Sequence, residues 1–378
     1  MHPIIVIGSG LAGFTLAREW RKLDAATPLR ILTTDDGCFY SKPMLSNALA
    51  AGKTVQQLVN KPVAQMAQEL DAEISTRIQV SAIDPANHTI TANGETIHYS
   101  RLVLALGADP IRLPLLGDGA DAVLSVNDLE DYASFRRNLE GKQRVAILGA
   151  GLIGCEYAND LLTGGYQVDI VDPGNRPLSS LLPPEASAPL QEALGKLGVE
   201  WHWGVKAEAV GRTDGGFRLA LSDGGSIDAD VVLSAIGLRA RTALAATAGI
   251  AVKRGIVVDN RLRTSATDVY AIGDCAEAQG KVLPFVMPLM QQARTLARVL
   301  TGTAAELSYP AMPIVVKTPA CPIVVCPPAQ GLAGEWRSSQ TQQGVRACFY
   351  DTADTLRGFA LTGQATAEKN ALAQQLTL

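Results

Sequence analysis

A chain of 378 residues, 47% of them apolar, is long enough for two or three domains with packed cores. Its 35 glycines and 5% aromatic content suit an α/β protein with many tight strand-to-helix turns, and a net charge of −4 argues against general nucleic-acid binding. No apolar run approaches the ~18 residues of a membrane span, and no basic segment leads into an apolar one at the amino terminus, so a soluble, cytoplasmic protein is expected.

In chain order, Ile4 to Ile7 reads as a buried parallel strand that runs into Gly8-x-Gly10-x-x-Gly13 and an amphipathic helix bearing Leu16, Ala17 and Trp20. Each glycine has a task in binding a dinucleotide. Gly8 permits the tight turn, Gly10 lets backbone N–H groups approach a pyrophosphate, and Gly13 allows helix and strand to pack closely. The next strand, "PLRILTT", ends at Thr33, Thr34, Asp35 and Asp36, where an adenosine ribose is expected.

The pattern returns in Val145–Leu148, Gly149-x-Gly151-x-x-Gly154 and a helix expected over Cys155–Leu162. The following strand, Val168–Val171, ends at Asp172. A carboxylate there accepts hydrogen bonds from a ribose 2′-OH and repels a 2′-phosphate, which favours NADH over NADPH; the plainer alternative is that Asp172 caps the turn. Two fingerprints imply two dinucleotides. Three further apolar strands run into glycines, at Gly107, Gly237 and Gly273-Asp274.

The six cysteines are scattered through the chain, which suggests reduced thiols, and no Cys/His cluster has metal-site spacing, so no metal is expected. Cys321 and Cys326 have Cys-x4-Cys spacing. They are expected within one strand, whose ~3.3 Å rise per residue puts them beyond disulfide reach.

With both fingerprints and the Gly-Asp strand in this order, residues 1–305 resemble the two-dinucleotide flavoprotein reductases of the glutathione-reductase-like superfamily. The resemblance implies an α/β fold of two nested Rossmann-like domains plus a small C-terminal α+β domain. The FAD domain is expected at 1–108 and 236–307, the NAD domain at 109–235 and the C-terminal domain at 308–378. It implies FAD binding by Gly8, Ser9, Gly10, Leu11, Ala12, Gly13, Thr33, Thr34, Val80 and Asp274. Val286 and Met287 stand at the amino end of a helix that points at the flavin, and NADH takes Gly149, Gly151, Gly154 and Asp172.

The disulfide reductases of the superfamily carry a Cys-x4-Cys pair near the first helix and a C-terminal His-Glu pair; this chain has neither, and its last histidine is His202. In place of the cysteines stands "FYSKPMLS" (39–46). It resembles a segment of the branch whose partners are one-electron iron proteins: ferredoxin, rubredoxin and flavorubredoxin reductases. The segments "GLIGCEYANDL" (151–161) and "MPIVVKTPACPIVV" (312–325) are similar to those of bacterial rubredoxin reductases. That resemblance implies Lys42, Glu156 and Lys317 near the flavin, with Glu156 a candidate partner of Lys42. It also implies flavin-mediated chemistry without a catalytic side-chain acid or base, and transfer of electrons from NADH through FAD to rubredoxin, with alkane hydroxylation as the usual setting. Rubredoxins are acidic, so a basic docking surface is needed, and Arg294, Arg298, Arg357 and Lys369 are candidates. Three other readings compete: a flavorubredoxin reductase in nitric-oxide detoxification, an NADH oxidase or peroxidase using Cys38, and a flavin-bearing NADH-binding protein that does not turn over.

Overall fold

Ile4–Ile7 is the middle strand of a five-stranded parallel sheet, and all four of its side chains are buried. A parallel sheet is covered on both faces, so its strands are continuous apolar runs rather than alternating ones. In the computed structural model, which describes residues 2–341 and 343–376, the chain divides into two compact units. One comprises Met1–Ser41, Gln56–Asp109 and Leu238–Tyr309; the other comprises Lys42–Val55, Pro110–Gly237 and Pro310–Leu378.

In the first unit the sheet order is Val269–Ala271, Arg101–Leu104, Ile4–Ile7, Leu29–Leu32 and Glu73–Ser75, all parallel. The helix Leu11–Arg21 buries Phe14, Leu16, Ala17 and Trp20 and packs against the helix Val286–Leu300. A three-stranded antiparallel sheet, Val80–Asp84, Thr89–Ala92 and Glu95–His98, completes the unit's main elements.

The second unit repeats the architecture. Its parallel sheet runs Val199–Trp203, Gln167–Asp172, Arg144–Leu148 and Val231–Ser234. The fingerprint helix spans Leu152–Thr163, beginning three residues before the expected Cys155, directly after Gly151. It is buried nearly all round, from Gly154 to Leu161, as a helix enclosed by other elements must be. Residues 314–362 form a five-stranded antiparallel sheet in the order Ile314–Val316, Ile323–Cys326, Leu356–Thr362, Gly344–Asp351, Gly334–Thr341. The helix Pro184–Leu197 packs against two of these strands and against Val199–Trp203. The fold is thus two parallel Rossmann-like sheets plus an antiparallel C-terminal sheet.

One strand is shorter than the sequence suggests. Cys326 closes Ile323–Cys326, but Cys321 precedes it in a turn. Cys321 N donates to the Thr318 carbonyl at 2.9 Å and the Thr318 hydroxyl donates to the Cys321 carbonyl at 2.7 Å, between Pro319 and Pro322. Among the described residues no helix is long and apolar enough to cross a membrane.

Phe359 is fully buried, in a cluster with Val324, Cys348, Leu361 and Leu372. Phe359→Ala is expected to destabilise the C-terminal sheet by about 3–5 kcal/mol, measured as lost amide-exchange protection in residues 323–362.

Candidate functional site

The two glycine fingerprints fold alike because the same steric demands act on both. Gly8 has φ of +114°, and a Cβ there would lie 2.2 Å from the Ala105 carbonyl oxygen. A Cβ on Gly13 would meet the Gly8 carbonyl at 2.1 Å, whereas Gly10 has nothing within 4 Å. In the second unit, Gly149 has φ of +103°, a Cβ on Gly154 would meet the Gly149 carbonyl oxygen at 2.0 Å, and Gly151 is open. Gly10 and Gly151 are the N-caps of their helices, and no side chain caps either one. Each helix therefore presents uncapped N–H groups and the positive end of its dipole beside an open glycine, which fits a pyrophosphate.

An acidic side chain braces each fingerprint. Asp172 Oδ2 accepts from Ala150 N at 2.7 Å and Oδ1 from Gly174 N at 2.7 Å, so this residue caps its turn and ties it to the glycine loop. In the first unit the register puts Thr33 at the corresponding strand end. The carboxylate comes from Asp35, whose Oδ1 accepts from Thr33 Oγ1 at 2.7 Å and Gly37 N at 2.9 Å and lies 2.9 Å from Ser9 Oγ. Asp35 thus completes the Ser9–Thr33 cluster, and Thr34, between Thr33 and Asp35 in sequence, is exposed.

Gly273, with φ of +75°, sits where a Cβ would meet Ala12 Cβ at 2.8 Å, so the Gly273-Asp274 turn lies against the first fingerprint helix. Gly273 N donates to Gln292 Oε1 at 2.6 Å, and Gln292 Nε2 donates to Tyr309 Oη at 2.7 Å. Gln292, unremarked in the sequence, joins the Asp274 turn to the helix Val286–Leu300. No side chain caps that helix, and Met287 at its start is 44% exposed. Val80 begins the small antiparallel sheet, half-buried.

In the second unit, Lys42 opens a short 3-10 helix, Lys42–Asn47, and its Nζ donates to Asn127 Oδ1 at 2.6 Å. Glu156 is fully buried and pairs with Lys317 rather than with Lys42 as the sequence suggested. Its carboxylate accepts from Lys317 Nζ, from Lys317 N at 2.9 Å and from Ser46 Oγ at 2.6 Å. Asn159 Oδ1 accepts from Ala320 N at 3.0 Å; Asp160 accepts from Leu49 N at 3.1 Å and Ala50 N at 2.8 Å. Burial pushes the Asp160 carboxyl above its ordinary range. Glu156, Asn159 and Asp160 stand at i, i+3 and i+4, one face of the fingerprint helix, and that face fastens the 42–50 and 317–320 segments to it. Arg357 donates to Asp351 at 2.6 Å, which offsets the charge that it was expected to offer a partner.

Residues 2–297 match the pyridine nucleotide-disulphide oxidoreductase family, and residues 306–376 match the rubredoxin binding C-terminal domain. The chain belongs to the pyridine nucleotide-disulphide oxidoreductase family. It is 50% identical over 377 residues to the rubredoxin-NAD(+) reductase of Alcanivorax borkumensis, covering 100% of this chain and 99% of that one. It is 37% identical over 381 residues to the nitric oxide reductase FlRd-NAD(+) reductase of Vibrio vulnificus, covering 99% of this chain and 98% of that one. Among solved structures, the ferredoxin reductase from Rhodopseudomonas palustris superimposes with a TM-score of 0.90 at 25% identity, covering 100% of this chain and 96% of that one.

Although the family takes its name from a disulphide, all six cysteines here are free, and five are buried. Burial pushes every one of their thiols up, Cys275 and Cys321 to about 11. Burial and the nearby Asp36 carboxylate do the same to half-buried Cys38. A thiol–disulfide relay needs an accessible thiolate of lowered pKa, and none of these residues supplies one.

The Glu156–Lys317 pair gives a stability test. Lys317→Met strands the buried carboxylate and is expected to cost about 3 kcal/mol, the low end for a buried pair because Lys317 is 27% exposed. Adding Glu156→Gln is expected to recover part of that loss in a urea-denaturation double-mutant cycle.

Proposed function

We propose that this chain reduces rubredoxin at the expense of NADH, using bound FAD. The observation that carries the reading is the rubredoxin-binding C-terminal domain over residues 306–376, joined to a pyridine-nucleotide reductase whose cysteines are all free thiols. The higher full-length identity to a rubredoxin reductase than to a flavorubredoxin reductase, 50% against 37%, favours rubredoxin as the acceptor. When bound, FAD accepts a hydride from NADH and releases electrons singly to an iron centre.

We assign FAD to residues 1–108 with 236–307, NADH to residues 109–235, and rubredoxin docking to residues 308–378. Gly8, Ser9, Gly10, Leu11, Ala12, Gly13, Thr33, Thr34, Val80, Asp274 and Val286 hold FAD, and Asp35 supports Ser9 and Thr33. The open N-terminus of Leu152–Thr163 takes the NADH pyrophosphate, and Asp172 accepts its ribose hydroxyls. The resemblance implies that Lys42, Glu156 and Lys317 belong near the flavin; separately, the positive amino end of the helix Val286–Leu300 suits the negative charge of a reduced flavin. The resemblance further implies that the reduced rubredoxin supplies an alkane hydroxylase. Deletion of the gene is then expected to abolish growth on alkanes but not on organic acids; unimpaired growth on alkanes would overturn that assignment.

NADH-driven bleaching of purified rubredoxin, run beside ferredoxin, oxygen and peroxide, tests the reaction. Rubredoxin is expected to bleach fastest, and Cys38→Ser to stay within about twofold of the parent, since its raised thiol is not a poised nucleophile. Peroxide consumption that depends on Cys38, with rubredoxin left oxidised, would contradict the proposal. Asp172→Ala removes the brace from Ala150 and Gly174 and is expected to lower kcat/KM for NADH at least about tenfold.

A further inference from the structure

Leu178 is buried and has φ of +54°, the left-handed region that an L side chain rarely adopts. Such a backbone persists where its surroundings enforce it, and it marks a place where a main-chain group is aimed. Leu178 N donates to the Ala150 carbonyl at 2.9 Å, and Ala150 stands between Gly149 and Gly151 of the second fingerprint.

The loop that carries Leu178 runs from the strand Gln167–Asp172 to the helix Pro184–Leu197. Fully buried Ser187, on that helix, donates its hydroxyl to the Pro177 carbonyl at 2.5 Å. The Leu178 carbonyl accepts from Leu181 N at 2.8 Å and Leu182 N at 2.9 Å, which closes a turn around it. On the fingerprint side, Ala150 is gripped by both of its main-chain groups. Its N–H donates to Asp172 Oδ2 at 2.7 Å, while its carbonyl takes the Leu178 N–H and, more weakly, the Cys155 thiol at 3.3 Å.

The grip on the carbonyl has a directional consequence. Ala150 C=O and Gly151 N–H share one trans peptide plane and point in opposite directions. Holding the carbonyl toward Leu178 therefore turns the Gly151 N–H away from the 173–182 loop. Gly151 is the open position of the fingerprint, and the uncapped helix begins directly after it.

We infer that Leu178 is a positioning residue for dinucleotide binding: its strained backbone locks the Ala150–Gly151 peptide plane and so aims the Gly151 N–H at the pyrophosphate. The inference rests on the reading that the second fingerprint holds NADH.

The test uses the FAD-loaded, full-length protein and calorimetric titration with NAD+ and with ADP-ribose, which keeps the pyrophosphate and lacks the nicotinamide. Leucic acid in place of Leu178 puts an ester oxygen where the N–H was and keeps the side chain. It is expected to weaken both ligands by the same factor, about fivefold, and to raise KM for NADH while kcat stays within about twofold. Leu178→Gly keeps the N–H and suits a positive φ; it is expected to lower Tm through the lost side chain, with both affinities within about twofold of the parent. Should the ester protein not fold, Ser187→Ala loosens the same loop from its far side and is expected to weaken both ligands about threefold. Unchanged affinities in the ester protein, or in Ser187→Ala where that stands in for it, would overturn the inference. Equal weakening by the ester and by Leu178→Gly would trace the effect to side-chain packing and overturn it too. Were the parent protein to bind neither NAD+ nor ADP-ribose, the dinucleotide reading itself would fall, and this inference with it.

Discussion

A carboxylate with no access to water must find its partners inside the protein, and much of the second unit is arranged around one such group. Glu156 is fully buried, and burial of an unpaired charge would cost several kcal/mol. Its partners come from segments far away in sequence: Ser46, 110 residues before it, and Lys317, 161 residues after it. Satisfying this one side chain joins the 3-10 helix Lys42–Asn47 and the start of the Lys317–Cys321 turn to the helix that carries the second glycine fingerprint. Asn159 and Asp160 repeat the device one turn further on, each accepting backbone N–H groups from those same segments. These bonds leave Lys317 little freedom, since its N–H, its carbonyl and its ammonium are all engaged.

The two dinucleotide fingerprints solve one steric problem twice. In each, the first glycine takes a positive φ against a neighbouring strand end, the third lets helix and loop touch, and the second stays bare. The bracing carboxylate differs. Asp172 reaches backbone amides directly, whereas Asp35 works through Ser9 and Thr33 from two positions further along. Equivalent geometry is thus reached with different side chains, which fits two different nucleotides.

What was legible in the sequence follows from the range of the forces involved. The strand–glycine–helix units are encoded locally, by apolar runs and by backbone positions that only glycine tolerates. The partner of Glu156 is not local, and Lys42 was a reasonable expectation until the fold brought Lys317 to the carboxylate and turned Lys42 toward Asn127. Asp35 was visible as one of four polar residues at a strand end, but its bonds to Ser9 and Thr33 were not. The Cys321 turn depends on a Thr318 hydroxyl bonding a carbonyl three residues on, which apolar patterning cannot register. Gln292, a polar residue without a motif, gave no signal at all.

The account holds that electrons leave this chain for a separate protein and are not stored in a cysteine pair within it. Anaerobic titration of the FAD-loaded protein with NADH tests that most directly. One molar equivalent of NADH per FAD should bleach the flavin completely, and oxidised rubredoxin should then restore its colour. A further equivalent consumed before the flavin bleaches would reveal an internal disulfide acceptor and contradict the account.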